Sequence, residues 1–98
     1  MNIKYLPDAL NDLENVFKYV YQDNVNQAVN TILQIQDAID YLKDNPSIGR
    51  IGIVAGTREL VLLKLPFTIP YRVREGTIEI LAVMHQSRRW PDSSDCTE

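Results

Sequence analysis

Residues 56–91 read GTRELVLLKLPFTIPYRVREGTIEILAVMHQSRRWP, and this stretch decides the fold. Apolar side chains recur at every second position in two runs, which is the period of a β-strand with one face on a core. The first run is Phe67, Ile69, Tyr71 and Val73, and the second is Ile78, Ile80, Ala82 and Met84. Glu75-Gly76 separates the runs, and a glycine at the second place of a two-residue connection supplies the positive φ of a tight hairpin. The two runs are therefore predicted to pair as antiparallel strands.

The first of these strands is predicted over residues 67–74, and another strand is predicted before it, over residues 57–63. Pro70 lies inside the 67–74 strand, where it removes a hydrogen-bond donor, so a bulge or an unpaired edge is expected there. Residues 46–55 carry Gly49 and Gly52 and are interpreted as a loop with Arg50 near its middle.

The N-terminal half predicts one strand and two helices. A strand over residues 2–6 is followed by Pro7, and Asp8 is the candidate N-cap of a helix that ends near Tyr21. The apolar stripe of the second helix is Val25, Ala28, Val29, Ile32, Ile35, Ile39 and Leu42. Asn45-Pro46 ends this helix, because a residue before proline is disfavoured in helical geometry. The short break at residues 22–24 indicates that the helices form an antiparallel hairpin.

The resulting element order is β-α-α-β-β-β. It predicts an α+β fold in which a helix hairpin packs on one face of a mainly antiparallel four-stranded sheet. With 98 residues, 45% of them apolar, the chain suits one domain, assigned to residues 1–91, with residues 92–98 as a disordered acidic tail. The one cysteine, Cys96, excludes an intramolecular disulfide, and neither a metal nor a cofactor is expected. No secretory signal and no membrane-spanning run is visible, which indicates a cytoplasmic chain with no membrane contact.

The charge is unevenly distributed. Residues 1–48 carry seven acids and three bases, residues 49–91 carry three acids and seven bases, and the last seven residues add three acids. The sheet half is therefore basic within an acidic protein, which suits an anionic partner, although solvated arginines of no special role give the same pattern.

Several short segments are distinctive as an ordered set. They are Gly49-Arg50 with Gly52, then Gly56-Thr57-Arg58-Glu59-Leu60, then Pro70-Tyr71-Arg72-Val73, and then Ile80 to His85 with Arg88 to Pro91. Together with Pro7, Ala9, Asp12 and Leu13, this set resembles the RelE/ParE superfamily, the toxins of type II toxin-antitoxin systems. The resemblance implies the β-α-α-β-β-β fold and a cognate antitoxin that forms a hetero-oligomer with the toxin.

The resemblance leaves the target open. ParE-like members poison DNA gyrase, whereas RelE-like members cleave mRNA in the ribosomal A site. The RelE-like members tend to be strongly basic and to carry basic residues on the second strand, but here the pI is about 5.0 and that strand has Glu59 and Val61. Gyrase inhibition is therefore preferred, with ribosome-dependent mRNA cleavage as the alternative and an inactive toxin-fold binding module as a further alternative.

If the chain is an RNase, the candidate catalytic residues are His85, Arg72 and Arg88. His85 has an unperturbed pKa near neutrality, which suits general acid or base catalysis. Strict alternation along the strands places Arg72 and His85 together on the face that the helices leave open. The alternative for His85 is a hydrogen bond to a backbone carbonyl at a strand end.

Two groups of residues are candidates for binding a target or the antitoxin. The polar and aromatic group is Arg50, Arg58, Glu59, Arg89 and Trp90. Arg58 is also expected to pair with Glu79 or to close the glycine-rich loop. The apolar group is Val61, Leu63, Leu81 and Val83, on the face without helices, because exposed apolar area often marks a partner surface. Antitoxin docking is predicted at this open face, at the helix hairpin or at the strand edge near Pro70.

Overall fold

The computed structural model describes residues 1–86, which form a two-helix layer on one side of a mixed sheet. Within this range the strands are β1 (Asn2–Tyr5), β2 (Arg50–Ile51), β3 (Arg58–Val61), β4 (Phe67–Arg74), β5 (Thr77–Ile80) and β6 (Met84–His85), and the helices are α1 (Pro7–Tyr21) and α2 (Val25–Tyr41). The strand order is β1-β5-β4-β3-β2, and β6 also pairs with β4. β1 is parallel to β5, while the other pairs are antiparallel. The predicted α+β class and element order are confirmed, and the two-residue strands β2 and β6 are additions.

The hairpin between β4 and β5 forms as predicted. Arg74 lies opposite Thr77, and the two turn residues Glu75 and Gly76 have φ values of 51° and 76°. Two positive φ values in a two-residue connection match the right-handed twist of the paired strands. This turn fixes the register of the central pair.

Helix α1 begins two residues earlier than the sequence predicts. Leu6 is its N-cap, Pro7 is its first helical residue, and the Leu6 carbonyl accepts the N–H of Leu10 at 3.1 Å. Proline suits this position, because its φ is already helical and its missing N–H would have no partner there. Asp8 is therefore a first-turn residue, and its assignment as the N-cap is wrong.

Helix α2 starts at the predicted residue but ends earlier than predicted. The side chain of Asn24 accepts the N–H of Gln27 at 3.0 Å, which caps the N-terminus. At the other end the Asn45 side-chain amide donates to the Tyr41 carbonyl at 3.1 Å. Because this bond satisfies a terminal carbonyl, the helix stops at Tyr41 and residues 42–45 form turns before Pro46.

The core lies between the helices and the covered face of the sheet. Its fully buried side chains include Ala9, Ile35, Ile39, Leu42, Ile69, Tyr71, Ile78 and Ile80. Tyr71 also binds the loop before β2: its hydroxyl accepts the N–H of Gly49 at 2.9 Å and donates to the Pro46 carbonyl at 2.8 Å. A Cβ on residue 49 would lie 2.7 Å from the Tyr71 ring, so only glycine fits there. This anchor positions β2, within the segment predicted to be loop alone.

Candidate functional site

The sheet is irregular where β5 gives way to β6. Tyr71 lies opposite Ile80 and Thr68 lies opposite Met84, so residues 81–83 face only two residues, 69 and 70. One extra residue on one side of an antiparallel pair is a β-bulge. The N–H of Leu81 still donates to the Pro70 carbonyl at 2.9 Å. Of the two alternatives expected at Pro70, a bulge or an unpaired edge, the structure has the bulge, and the extra residue lies on the opposite strand.

An acid on α1 holds this bulge. The N–H of Val83, a residue only 4% exposed, donates to Oδ2 of Asp12 at 3.0 Å. The bond ties the first helix to a segment 71 residues later in the sequence. Neither the periodicity nor the turn residues predict this contact.

The bulge determines the side of the sheet to which His85 belongs. His85 lies opposite Phe67, and their ring centroids are 5.9 Å apart at an interplanar angle of 81°. Directly opposite residues share a face, and Phe67 packs against the core on the helix side. Arg72 lies on the other face, opposite Glu79. The prediction that Arg72 and His85 share the open face is wrong, because strict alternation does not count the extra residue.

His85 lines a groove of about 1070 Å³ between α1 and the β4–β6 end of the sheet, which we call the α1–β6 groove. The polar lining includes Asp8, Asn11, Asp12, Asn15, Gln27 and Thr31, and the apolar lining includes Val16, Val20, Leu65, Phe67, Val83 and Met84. Among the described residues, the lining contains two carboxylates and no Lys or Arg. The groove therefore suits a ligand that is cationic at one side and apolar at the other.

The open face of the sheet carries ion pairs in which the carboxylate is the covered partner. The Arg50 guanidinium lies 2.9 Å from Oε1 of Glu59, with side chains 65% and 8% exposed. Arg72 bonds Oε1 of Glu79, whose side chain is 13% exposed, and Arg74 lies 3.9 Å from the same oxygen. The hydrogen bond from Arg72 holds the pKa of the Glu79 carboxyl below its usual value, and the charges of Arg72 and Arg74 add to this effect. The acids thus orient the arginines, which point toward solvent.

Arg58 closes the loop before β2 and does not pair with Glu79. Its Nη1 donates to the carbonyls of Gly49 at 2.8 Å and Ser47 at 3.2 Å. Arg58 lies opposite Tyr71, on the face opposite that of Glu79. Of the two roles predicted for Arg58, loop closure is confirmed and the Glu79 pair is wrong.

The four apolar residues predicted for the open face do not form one surface. Leu81 is 9% exposed and Val83 is 4% exposed, and Val83 belongs to the core cluster. Their assignment to an exposed surface is wrong: the bulge turns Val83 into the core, and Leu81 is buried as well. Val61 is half-buried, and Leu63 is 98% exposed in the loop after β3.

A different apolar surface lies on α2. Val25, Val29 and Leu33 are about half exposed and are spaced four residues apart, so they form one stripe. We call these three residues the α2 stripe. The sequence pattern placed Val25 and Val29 in the core, because it cannot distinguish two apolar faces of the same helix.

Three of the candidate residues, Arg88, Arg89 and Trp90, lie outside the described residues, as does the tail from residue 92. Within residues 1–86, no group of three or more His, Cys, Asp or Glu side chains is placed to hold a metal ion. In the same range, neither helix combines the length and apolar character that crossing a membrane requires.

The fold and these surfaces define a class: a small α+β protein with exposed apolar and charged surfaces suited to contacts with macromolecules. Residues 3–90 match the family model described as the ParE toxin of the type II toxin-antitoxin system parDE. The chain therefore belongs to the ParE toxin family of type II toxin-antitoxin systems.

Individual relatives agree with this family. The chain is 38% identical to the putative toxin Y4kP of Sinorhizobium fredii over 91% of its length and 92% of that protein. It is 38% identical to toxin ParE1 of Mycobacterium tuberculosis, with 88% and 92% covered, and 34% identical to toxin RelE2 of Caulobacter vibrioides, with 82% and 89% covered. A solved structure of the chromosomal ParDE toxin-antitoxin system from P. aeruginosa matches with a TM-score of 0.79 and 30% identity, over 87% of this chain and 95% of that one.

Proposed function

We propose that this toxin inhibits DNA gyrase and that a cognate antitoxin neutralises it. The observation that carries the choice of gyrase is the separation of Arg72 from His85 by the thickness of the sheet. Cleavage of RNA through its own 2′-hydroxyl needs a base, an acid and cations around a single phosphate. Side chains on opposite faces cannot converge on one phosphate. RelE-like members tend to carry basic residues on the strand that corresponds to β3, but this chain has the carboxylate of Glu59 there. This difference also favours gyrase as the target.

The target is tested with two reactions on the same preparation. The purified chain is added to a DNA supercoiling reaction with gyrase and, separately, to a reconstituted translation reaction whose mRNA 5′ ends are mapped by primer extension. We expect inhibited supercoiling and intact mRNA. Codon-positioned cuts that need the ribosome would instead support mRNA cleavage, the alternative that the resemblance to the RelE/ParE superfamily leaves open. No effect in either reaction, together with normal growth on expression, would support a binding module without toxicity.

The antitoxin is proposed to dock an amphipathic helix on the α2 stripe. The solved relative is part of a ParDE toxin-antitoxin system, and an exposed stripe with a four-residue repeat suits helix-to-helix packing. The stripe is continuous over two helical turns, and each of its residues is about half exposed in this chain. Gyrase and the antitoxin both imply action in the cytoplasm.

Charge substitutions on α2 test this docking site. Val29→Asp with Leu33→Asp is expected to weaken binding of the product of the neighbouring antitoxin gene by roughly 30-fold or more, since two interface residues at about 1 kcal/mol or more each contribute about 2 kcal/mol or more together. Gln34→Asp is the matched control, because it is exposed on the same helix but lies off the stripe. Titration calorimetry measures both affinities. Equal affinities for the two variants would place the antitoxin elsewhere, without bearing on the choice of gyrase.

A further inference from the structure

The open face of the sheet carries a compact group of cations near its β1 edge. Lys4 and Arg72 lie opposite Glu79 on its two neighbouring strands, so the carboxylate lies between two cations in one cross-strand row. Arg74 lies two residues from Arg72 on the same strand and therefore on the same face. We call Lys4, Arg72 and Arg74 the cationic face. It places three positive charges around one carboxylate.

Most hydrogen-bond donors of the cationic face are not used within the described chain. Arg72 bonds Glu79 through Nε, and Arg74 lies 3.9 Å from the same oxygen, beyond hydrogen-bond distance. Within residues 1–86, no hydrogen bond or ion pair engages the ammonium group of Lys4, which is exposed. The hydrogen bond from Arg72, together with the charges of Arg72, Arg74 and Lys4, lowers the pKa of the Glu79 carboxyl. The acid therefore stays ionised at neutral pH and orients Arg72, and a surplus of two positive charges remains.

The rest of this surface is polar. Asn2 and Thr77 form the next cross-strand row with Arg74, so these two rows of described residues contain no aromatic or aliphatic side chain. The cores of protein–protein interfaces are apolar and poor in charge, whereas protein–DNA interfaces are more polar and much more positively charged. Single strands are bound through aromatic side chains on which the bases stack. The surface therefore matches the phosphates of an intact duplex better than a protein segment or unpaired bases.

The cationic face also has the dimensions of a backbone contact. Its two rows extend over three strands, about 10 Å, and lie two residues, or about 7 Å, apart. A duplex carries one negative charge per about 1.7 Å of its axis, so a stretch of this length brings several phosphates within reach of the three cations. Arginine, in addition, can bond two oxygens of one phosphate.

The helix layer carries the opposite charge. Helices α1 and α2 together hold five acids and one base, and they cover the other face of the sheet. The net charge of the whole chain is −3, so a duplex attracts the chain only in the orientation that turns the cationic face toward it. This uneven distribution lets an acidic protein present a phosphate-binding surface.

We propose that the cationic face binds the sugar–phosphate backbone of duplex DNA, with Lys4, Arg72 and Arg74 each on a phosphate. The contact reads no base sequence, because the phosphates are the same at every position. It goes beyond the proposed function and needs neither gyrase nor the antitoxin. Its test therefore uses the purified chain alone, and a failure would leave the choice of gyrase unaffected.

Fluorescence anisotropy of a labelled DNA duplex of mixed sequence measures the binding. We expect saturable binding with a Kd on the order of 10 µM, and a plot of log affinity against log salt with a slope of about −3, since each neutralised phosphate contributes about 0.9. Lys4→Gln with Arg74→Gln should weaken binding and make the slope shallower by about 2. Both side chains are exposed, so the fold should persist, and circular dichroism checks this.

Two controls separate the cationic face from charge in general. Lys18→Gln with Lys43→Gln removes the same charge from α1 and from the turn after α2, where both lysines pair with neighbouring acids, and should leave the slope unchanged. Asn2→Lys adds a cation beside the cationic face and should make the slope steeper by about 1. Asn30→Lys adds the same charge on α2 and should not. A gain of affinity cannot result from a loss of folding.

The proposal is overturned if the duplex shows no saturable binding up to about 100 µM chain, the weak limit of sequence-independent binding, or if the two glutamine pairs change the slope equally. It is also overturned if duplex RNA or a single strand binds more tightly than duplex DNA. Binding of polyglutamate in place of the duplex overturns it as well, since the surface would then fit an acidic protein segment. A slope that follows the number of cations on this face supports it.

Discussion

Strand β4 has two different neighbours on the same side. Its C-terminal half, residues 71–74, pairs residue for residue with β5 through a two-residue turn. Its N-terminal end, residues 67–68, pairs with β6 beyond a bulge, and the side chain of Asp12 on α1 accepts the N–H of Val83 in that bulge. The first pairing is set by a local turn, whereas the bulge beside the second is bonded by a side chain from the first helix.

This difference shows where the candidate surfaces come from. In the regular half, alternation puts Tyr71 in the core and Arg72 on the open face, so that face presents oriented arginines. In the bulged half, the extra residue turns Val83 inward and brings His85 to the helix side, where it lines the α1–β6 groove. Because of this one extra residue, Arg72 and His85 lie on opposite faces of the sheet, the first on the charged open face and the second in the α1–β6 groove.

The largest effect is expected when the bond between Asp12 and the bulge is removed. Asp12→Ala leaves the buried N–H of Val83 without its acceptor, and we expect a loss of about 2 to 3 kcal/mol in the free energy of unfolding. Urea denaturation measures this loss. Asp12→Asn keeps an acceptor oxygen and should lose clearly less, whereas equal losses would show that the bond does not hold the bulge.

The next largest effect is expected when the Tyr71 hydroxyl, which anchors the loop before β2, is removed. Tyr71→Phe keeps the packing of the ring but deprives the Gly49 N–H and the Pro46 carbonyl of their partner, so we expect a loss of about 2 kcal/mol. Hydrogen exchange should show faster exchange of the Gly49 amide, with β5 amides protected as before. If the Gly49 amide exchanges at the native rate, the hydroxyl does not anchor the loop.

A smaller effect is expected at the turn of the regular half. Gly76→Ala forces a side chain into positive φ and should destabilise the chain by about 1 kcal/mol. Glu75→Asn at the neighbouring positive φ should be neutral or stabilising, because asparagine tolerates this conformation better. Thermal denaturation of both variants gives the comparison, and a stabilising alanine at residue 76 would contradict the turn geometry.

The smallest effect is a pH dependence carried by Glu79. Its folded pKa lies below its usual value of 4.5 because of the hydrogen bond from Arg72. The unfolded state therefore binds protons first, so this contribution to stability is fully present well above pH 4.5 and is lost as the pH falls through the folded pKa. Glu79→Gln should flatten the dependence of stability on pH in this acid range. If the stability of Glu79→Gln falls with decreasing pH as steeply as that of the native chain, the Arg72–Glu79 ion pair contributes nothing measurable to stability.

The predictability of the fold follows the same division. Strand β4, the Glu75-Gly76 turn and the start of α2 are set by local patterns, and the sequence alone predicts them. The proline at residue 70 predicts a bulge or an unpaired edge, but no local pattern tells which strand holds the extra residue, so the faces predicted for Val83 and His85 are wrong. The bond from Asp12 to Val83 and the exposure of the α2 stripe depend on tertiary packing, which periodicity does not report.

The parallel pairing of β1 with β5 has a consequence for synthesis on the ribosome. β1 is made first, but its partner strand starts at Thr77, after most of the chain has been made. Ile78 and Ile80 are also fully buried parts of the core, so a chain that stops before them can close neither the sheet nor the core. Interrupted translation of this gene is therefore expected to release unfolded fragments, which proteases remove, and no active toxin.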